Sequence, residues 1–278
     1  MAFPVLLAVL GAAFLHAFWN ALIKRGSDGY RGMFILTLVQ GGIGVAVATF
    51  HAWPAGVVWL WLLGSGVAHA AYKVFLAIAY DHGDLSRVYP IARGAAPMMV
   101  LLIGLFVLAD RITPSEYAGI LLVGLGILLM ARGVFTGGES RQLLPFALGS
   151  AVATASYSLI DGMGARAAVS AGQYVAWLFI FDLVFFSTIS LAWKGRTLLA
   201  GNRREWASGS LAAAASYGAY AIAVWAMTQA PIALVAALRE TSILFAVLIG
   251  WIAFGERMSV GKAFAAALIV AGVIVTRV

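Results

Sequence analysis

Cysteine is absent from the 278 residues, which excludes disulfides, thiol nucleophiles and thiolate metal sites. Charge is scarce as well. Only 10% of residues are Asp, Glu, Lys or Arg, against 63% hydrophobic, and the mean hydropathy is +0.97. A water-soluble domain of this length needs far more charged surface, so the chain falls in the membrane class. Catalytic signatures are missing too: there is no HExxH, GxSxG, Walker or GxGxxG arrangement. Four scattered His without Cys give no metal-ligand spacing, and His82-Gly83-Asp84 reads as turn chemistry. No enzyme, metal or other cofactor is indicated. The net charge of +7 is explained by loop charges on one membrane face, not by nucleic-acid binding.

What is present is a series of long apolar runs. A spanning helix needs about 20 mostly apolar residues. Ten such runs lie near 3–23, 30–50, 56–80, 86–108, 114–132, 144–164, 172–193, 206–228, 232–254 and 258–276. Their length chooses helices over the alternating ten-residue strands of a barrel. The first run has no basic residue before it and is followed by Lys24 and Arg25, so it reads as a membrane helix and not a cleavable signal. Together the spans use up almost the whole chain. One polar linker, 133–143, divides a first half, 1–132, from a second, 144–278.

The halves repeat. Tyr89 to Arg132 aligns with Val235 to Arg277, so that Arg93 falls on Arg239 and Asp110-Arg111 on Glu256-Arg257. Leu159-Ile160-Asp161 weakly echoes Leu22-Ile23-Lys24. Five helices per half require the second half to insert upside down, which is the inverted-repeat plan of secondary transporters. The expected fold is all-α, ten transmembrane helices as two inverted five-helix repeats. Lys24, Arg25, Arg31, Arg87, Arg132, Arg141, Lys194, Arg196, Arg203, Arg204, Arg257 and Lys262 then share one face. Only Arg111, Arg166 and Arg277 share the other, so both termini are expected on the periplasmic side of a bacterial inner membrane.

The Asp/Glu-Arg turn after the fourth span of each half, followed by a Gly/Ala/Leu-rich fifth span, resembles the drug/metabolite transporter superfamily, in particular its EamA-type branch. His16-Ala-Phe-Trp19-Asn20-Ala-Leu-Ile-Lys24 and the stretch from Gly83 to Gly94 are similar to the same branch. The resemblance covers both halves and implies a 5+5 carrier that moves metabolites by alternating access. Carriers of this kind export amino acids or drugs, or exchange sugar phosphates. One departure is the turn His51-Ala-Trp-Pro-Ala-Gly56, which lacks the Lys or Arg that many relatives carry there. That departure implies an orientation flipped relative to theirs.

Charge inside a span costs at least ~2.5–3.5 kcal/mol, so each intramembrane ionisable group is a candidate. Arg93 and Arg239 occupy equivalent places in the repeat and carry a fork of donors matched to carboxylate or phosphate. Their structural alternative is pairing with an acid, although adjacent Glu240 should point about 100° away on a helix. On the third helix His69, Tyr72, Lys73 and Tyr80 share a broad face, either as cavity lining or as an ion pair with packed rings. His16, Asn20 and Lys24 repeat the spacing on the first, where Asn20 either bridges helices or binds a solute. Tyr89 flanks Arg93, beside Pro90 and Pro97, which bend the helix or expose carbonyls. Tyr217, Tyr220 and Trp225 form a possible aromatic wall on the eighth helix. Asp182, Glu240, His69 and His16 are the candidates for coupling or ion pairing, with Thr241 and Ser242 following Glu240.

Three functions compete. Interior Lys73, Arg93 and Arg239 outnumber two acids, which favours a secondary transporter of a small organic anion or zwitterion, such as an amino acid, a phosphonate or a phosphorylated metabolite. A proton-coupled exporter of cationic drugs or amines would use Glu240 or Asp182 instead. A non-transporting component, such as a lipid scramblase, is the reading from another class. The expected partners are a small-molecule substrate and the lipid bilayer, without nucleic acid, and a two-half carrier works as a monomer, with a dimer as the alternative.

Overall fold

In hydrocarbon a backbone amide has no water to bond, so each apolar run closes its hydrogen bonds on itself. The computed structural model describes residues 1–24, 29–82, 85–130, 143–254 and 259–277, with the backbone alone described at 24, 77, 79–82, 85–94, 143 and 253–254. Its helices are α1 (Phe3–Lys24), α2 (Gly29–Ala48), α3 (Val58–His82), α4 (Leu85–Val107) and α5 (Pro114–Met130) in the first half. The second half has α6 (Leu143–Ala167), α7 (Ala171–Lys194), α8 (Arg203–Gln229), α9 (Ile232–Arg239), α10 (Ser242–Phe254) and α11 (Val260–Val275). Among the described residues Phe3–Ile23, Gly29–Ala48, Ala171–Leu199, Arg203–Gln229 and Ile232–Ile252 are long and apolar enough to cross a membrane, and Ala95–Val107, Pro114–Met130 and Val260–Val275 are shorter apolar helices. The bundle is apolar on the outside, with Phe106 89% and Ile252 71% exposed, while Asp161 and Asp182 are buried within it. This is a multi-pass membrane protein.

Local chemistry sets the helix starts. Asn202 accepts from Arg204 N and Glu205 N at 2.9 Å while Glu205 accepts from Asn202 N at 2.9 Å, a capping box that opens α8. Thr113 and Glu116 exchange the same pair of bonds at the start of α5, with Pro114 at its first position. Ser170 and Ser259 cap α7 and α11.

The expected ninth span is one helix over 232–254. The structure corrects this: α9 ends at Arg239, and Glu240 and Thr241 form a turn before α10. Glu240 N bonds Ala237 O and Thr241 N bonds Leu238 O, each at 3.1 Å, so the spacing tightens to three residues. The Thr241 hydroxyl donates to Leu238 O at 2.7 Å, competing with the ladder. By contrast α4, which holds Pro90 and Pro97, runs unbroken from Leu85 to Val107.

Exchanging the two halves maps the packing onto itself. The α3–α6 contact becomes α8–α1, α3–α7 becomes α8–α2, and α2–α7 and α5–α11 map onto themselves. α6 ends beside the α4–α5 loop, at the end of the bundle where the chain starts, so it runs opposite to α1. The α5–α11 seam is close because it is built of small residues. A Cβ on Gly126 would stand 2.6 Å from Ile269 Cγ1 and 2.9 Å from Ala265 O, and one on Gly272 would stand 2.8 Å from Gly119 O.

A charged clamp closes the end that carries the termini. Arg166 at the end of α6 donates to Asp110 at 2.6 and 3.2 Å, to Met227 O at 2.8 Å and to Ala230 O at 3.0 Å. Asp110 in turn accepts from Ile232 N at 2.8 Å, at the start of α9. Two side chains thereby satisfy backbone groups where α8 ends and α9 begins. At the opposite end Arg31 lies 3.6 Å from Glu205.

Two outcomes are expected in detergent-solubilised protein. Gly126→Leu overfills the α5–α11 seam and lowers stability by about 1–3 kcal/mol, read as a drop in thermal midpoint. Arg166→Leu strips donors from Asp110 and two carbonyls and lowers it by a similar ~1–3 kcal/mol. Midpoints equal to that of the parent protein would remove the structural role assigned to either residue.

Candidate functional site

Seven helices converge on a cavity of about 60 Å³, lined by α1, α2 and α3 from the first half and α6, α7, α8 and α9 from the second. That space holds a few waters or one end of a small solute. Its wall is aromatic, with Trp19, His69, Tyr72, Tyr157, Phe179 and Tyr220, and its charged members are Lys73, Asp182 and Arg239.

Lys73 answers one of the alternatives left open by the sequence. Its ammonium donates to Asp182 at 2.7 and 2.9 Å and to Thr37 at 2.9 Å, and it lies 4.5 Å from the Phe186 ring centre. Lys73 and Asp182 are both buried, so the pair neutralises charge where water cannot. It also joins α3 to α7, one helix from each half.

A second buried pair lies one turn away. Asp161 on α6, fully buried, receives His69 Nε2 at 3.0 Å on Oδ2 and the Tyr174 hydroxyl at 3.0 Å on Oδ1. The Tyr220 hydroxyl donates to the same Oδ2. His69 stacks on Tyr157 with centroids 4.1 Å apart, and its other flank is Tyr220 at 5.4 Å, edge on. Four helices, α3, α6, α7 and α8, therefore meet at one carboxylate.

Arg239 closes the cavity from the break in the ninth span. Its guanidinium carbon lies 5.8 Å from the Tyr157 centroid and 5.7 Å from that of Tyr220, with Ser158 Oγ at 3.5 Å. Glu240 Oε1 is 3.7 Å away, which corrects the expectation that neighbours on a helix turn apart. The helix stops at Arg239, so the 100° rule does not apply to the next residue. A broken helix at membrane depth is tolerated only where it is enclosed by protein or lines a cavity, and Arg239, Glu240, Thr241 and Ser242 are all buried.

Residues 3–132 and again residues 143–278 match the EamA-like transporter family. The chain belongs to that family. No curated protein matches the sequence. Among 29 matching chains of solved structures is one titled "Crystal structure of protein", which is 18% identical, superposes with a TM-score of 0.80, and is covered over 98% of its length by 99% of this chain. At that identity it speaks for the fold alone.

In this EamA-like transporter the remaining sequence candidates separate. Tyr72 and His16 line the cavity, the latter accepting from Trp19 Nε1 at 3.3 Å. Asn20 donates to His16 O at 2.7 Å within its own helix, so that bond bridges no neighbouring helix. Tyr217 packs on Phe179 at 4.9 Å, behind the lining. Trp225 leaves the proposed aromatic wall: it is 40% exposed on the outside of the bundle. The side chains of Tyr89, Arg93 and Tyr80, and the turn at Glu256-Arg257, lie outside the described residues.

Sequence reading missed Asp161, Tyr157 and Tyr174. A span over 144–164 leaves Asp161 close to its end, whereas α6 runs on to Ala167. The weak echo of Lys24 was the available signal. Tyr157 and Tyr174 carry no charge and no motif to mark them.

The Lys73–Asp182 pair makes a direct prediction. Asp182→Ala leaves a buried ammonium uncompensated and is expected to cost about 3–5 kcal/mol, while the double change Lys73→Met with Asp182→Leu restores most of that loss. Denaturation followed by tryptophan fluorescence checks it. Equal losses in both proteins would show that the pair does not act through its charge.

Proposed function

We propose that this protein is a secondary transporter of the bacterial inner membrane that carries a small zwitterionic organic solute, such as an amino acid, by alternating access. The observation that carries this reading is the cavity between the halves, with the buried Arg239 guanidinium at a helix break facing a wall of aromatic rings. Arg239 is suited to a carboxylate through its donor fork, and the rings of Tyr72, Tyr157 and Tyr220 to an ammonium or an apolar side chain. The excess of interior cations inferred from sequence falls away, because Asp161 adds a third acid and the interior cations whose side chains are described, Lys73 and Arg239, each lie against a carboxylate. A ligand with both charges suits such a surface better than a bare anion. Both termini on the periplasmic face, and a working monomer, complete the reading.

The cavity also favours transport over lipid scrambling, since its charged members Lys73, Asp182 and Arg239 are buried between helices. One observation supports the exporter of cations as the second reading: the same rings form a cage near a buried carboxylate.

A ligand at about 100 times its Kd stabilises the folded state by ~2.7 kcal/mol, which a thermal-shift assay reads. L-amino acids are expected to raise the melting temperature, and Arg239→Ala to weaken the apparent affinity at least about tenfold, the loss of one charged hydrogen bond. Stabilisation by lipophilic cations instead, lost in Glu240→Gln, would replace this reading with the exporter. Stabilisation by neither class would sink both.

A further inference from the structure

An interior carboxylate that gathers three donors from three other helices has a purpose beyond packing to be accounted for. Two of the donors to Asp161, Tyr174 and Tyr220, are hydroxyls from its own half of the protein. The third is His69, from α3 in the other half. Imidazole is the side chain whose charge changes near neutral pH without special tuning. Its neighbour on the same boundary, Lys73, is held in a fixed pair by Asp182 and Thr37. His69 lines the cavity while Asp161 sits behind it, so a proton arriving through the cavity meets the imidazole first and the carboxylate serves as its fixed counter-charge.

We infer that the His69–Asp161 pair is a proton-binding site through which proton movement is coupled to the conformational cycle. Nε2–H holds Asp161 in both protonation states, and the exchanging proton binds at Nδ1. The pair spans α3 and α6, one helix from each half, so a relative movement of the halves changes the distance between imidazole and carboxylate. The affinity for the proton then differs between the two conformations, and by linkage the proton shifts the balance between them. The charged groups around the pair are Asp161 itself, Asp182 and Lys73 one turn away, and Arg239 across Tyr157 and Tyr220. Tyr72 on α3, Tyr157 on α6, Tyr174 on α7 and Tyr220 on α8 face the pair; Glu240 lies beyond Arg239, and His16 on α1 faces across the cavity. The part of α4 whose side chains are described, residues 95–107, adds no titratable group.

The coupling role rests on the transport reading, but the proton site itself does not, and the test separates them. Replacing His16, His51 and His82 by Gln leaves His69 as the one histidine of the chain. In nanodiscs, ¹⁵N-histidine NMR of that protein between about pH 5 and 9 is expected to show a titrating imidazole whose midpoint changes with Asp161→Asn in the same background. An imidazole that stays in one state across the range, or a midpoint indifferent to Asp161→Asn, overturns the proton site. In proteoliposomes, the ratio of ¹⁴C-labelled L-amino-acid accumulation with an imposed pH gradient to that without one is expected to fall at least about tenfold in Asp161→Asn. Undiminished gradient-driven accumulation in Asp161→Asn overturns the coupling. Uptake of none of the mixture by the parent protein counts against the amino-acid reading and leaves the titration to decide the proton site.

Discussion

A charge in hydrocarbon has to be answered by an opposite charge or a dense set of hydrogen bonds, and that constraint organises the interior of this protein. Lys73 is answered by Asp182, Asp161 by His69 with two tyrosines, and Arg239 by Glu240 and Ser158. Two of these sets join α3 of the first half to α6 or α7 of the second. The boundary along which two repeats would move is therefore also where charge is balanced. Any solute entering there would meet ion pairs already in place.

Away from the centre the halves are joined by a different force. Lipid offers no hydrophobic drive between helices, so close packing of small residues takes its place. The α5–α11 seam is the clearest case, with Gly119, Gly126 and Gly272 each set where a side chain would strike the neighbouring helix. At the end that holds the termini, Asp110 and Arg166 supply the partners that the ends of α8 and α9 cannot find within themselves. Dispersion forces and side chain–backbone bonds thus carry the frame, and the centre is left for charge.

Within a frame that maps onto itself when the halves are exchanged, the ninth span stands apart. Its counterpart α4 contains Pro90 and Pro97 yet continues, whereas the proline-free interior of the ninth breaks after Arg239. Proline announces a bend in sequence, but a neighbouring helix can absorb it. The break at Glu240-Thr241 is maintained by a threonine hydroxyl on Leu238 O and by three-residue backbone bonds, neither of which leaves a strong mark in the sequence.

The apolar runs, their number and the internal repeat are properties of local composition, because hydrogen bonding in lipid leaves a 20-residue apolar segment no choice but a helix. For that reason the membrane class, the two-repeat architecture, Lys73, Arg239 and Asp182 as interior charges, and the family resemblance were all legible in the chain alone. Which charge meets which was not. Lys73 and Asp182 are 109 positions apart and His69 and Asp161 are 92 apart, so their pairing depends on how helices from different halves pack. Tyr157 and Tyr174 become part of the site solely through that packing, and Trp225 leaves it because its face of α8 turns outward. Helical periodicity places a side chain on a face, but only the neighbouring helices decide whether that face meets lipid, a carboxylate or the cavity.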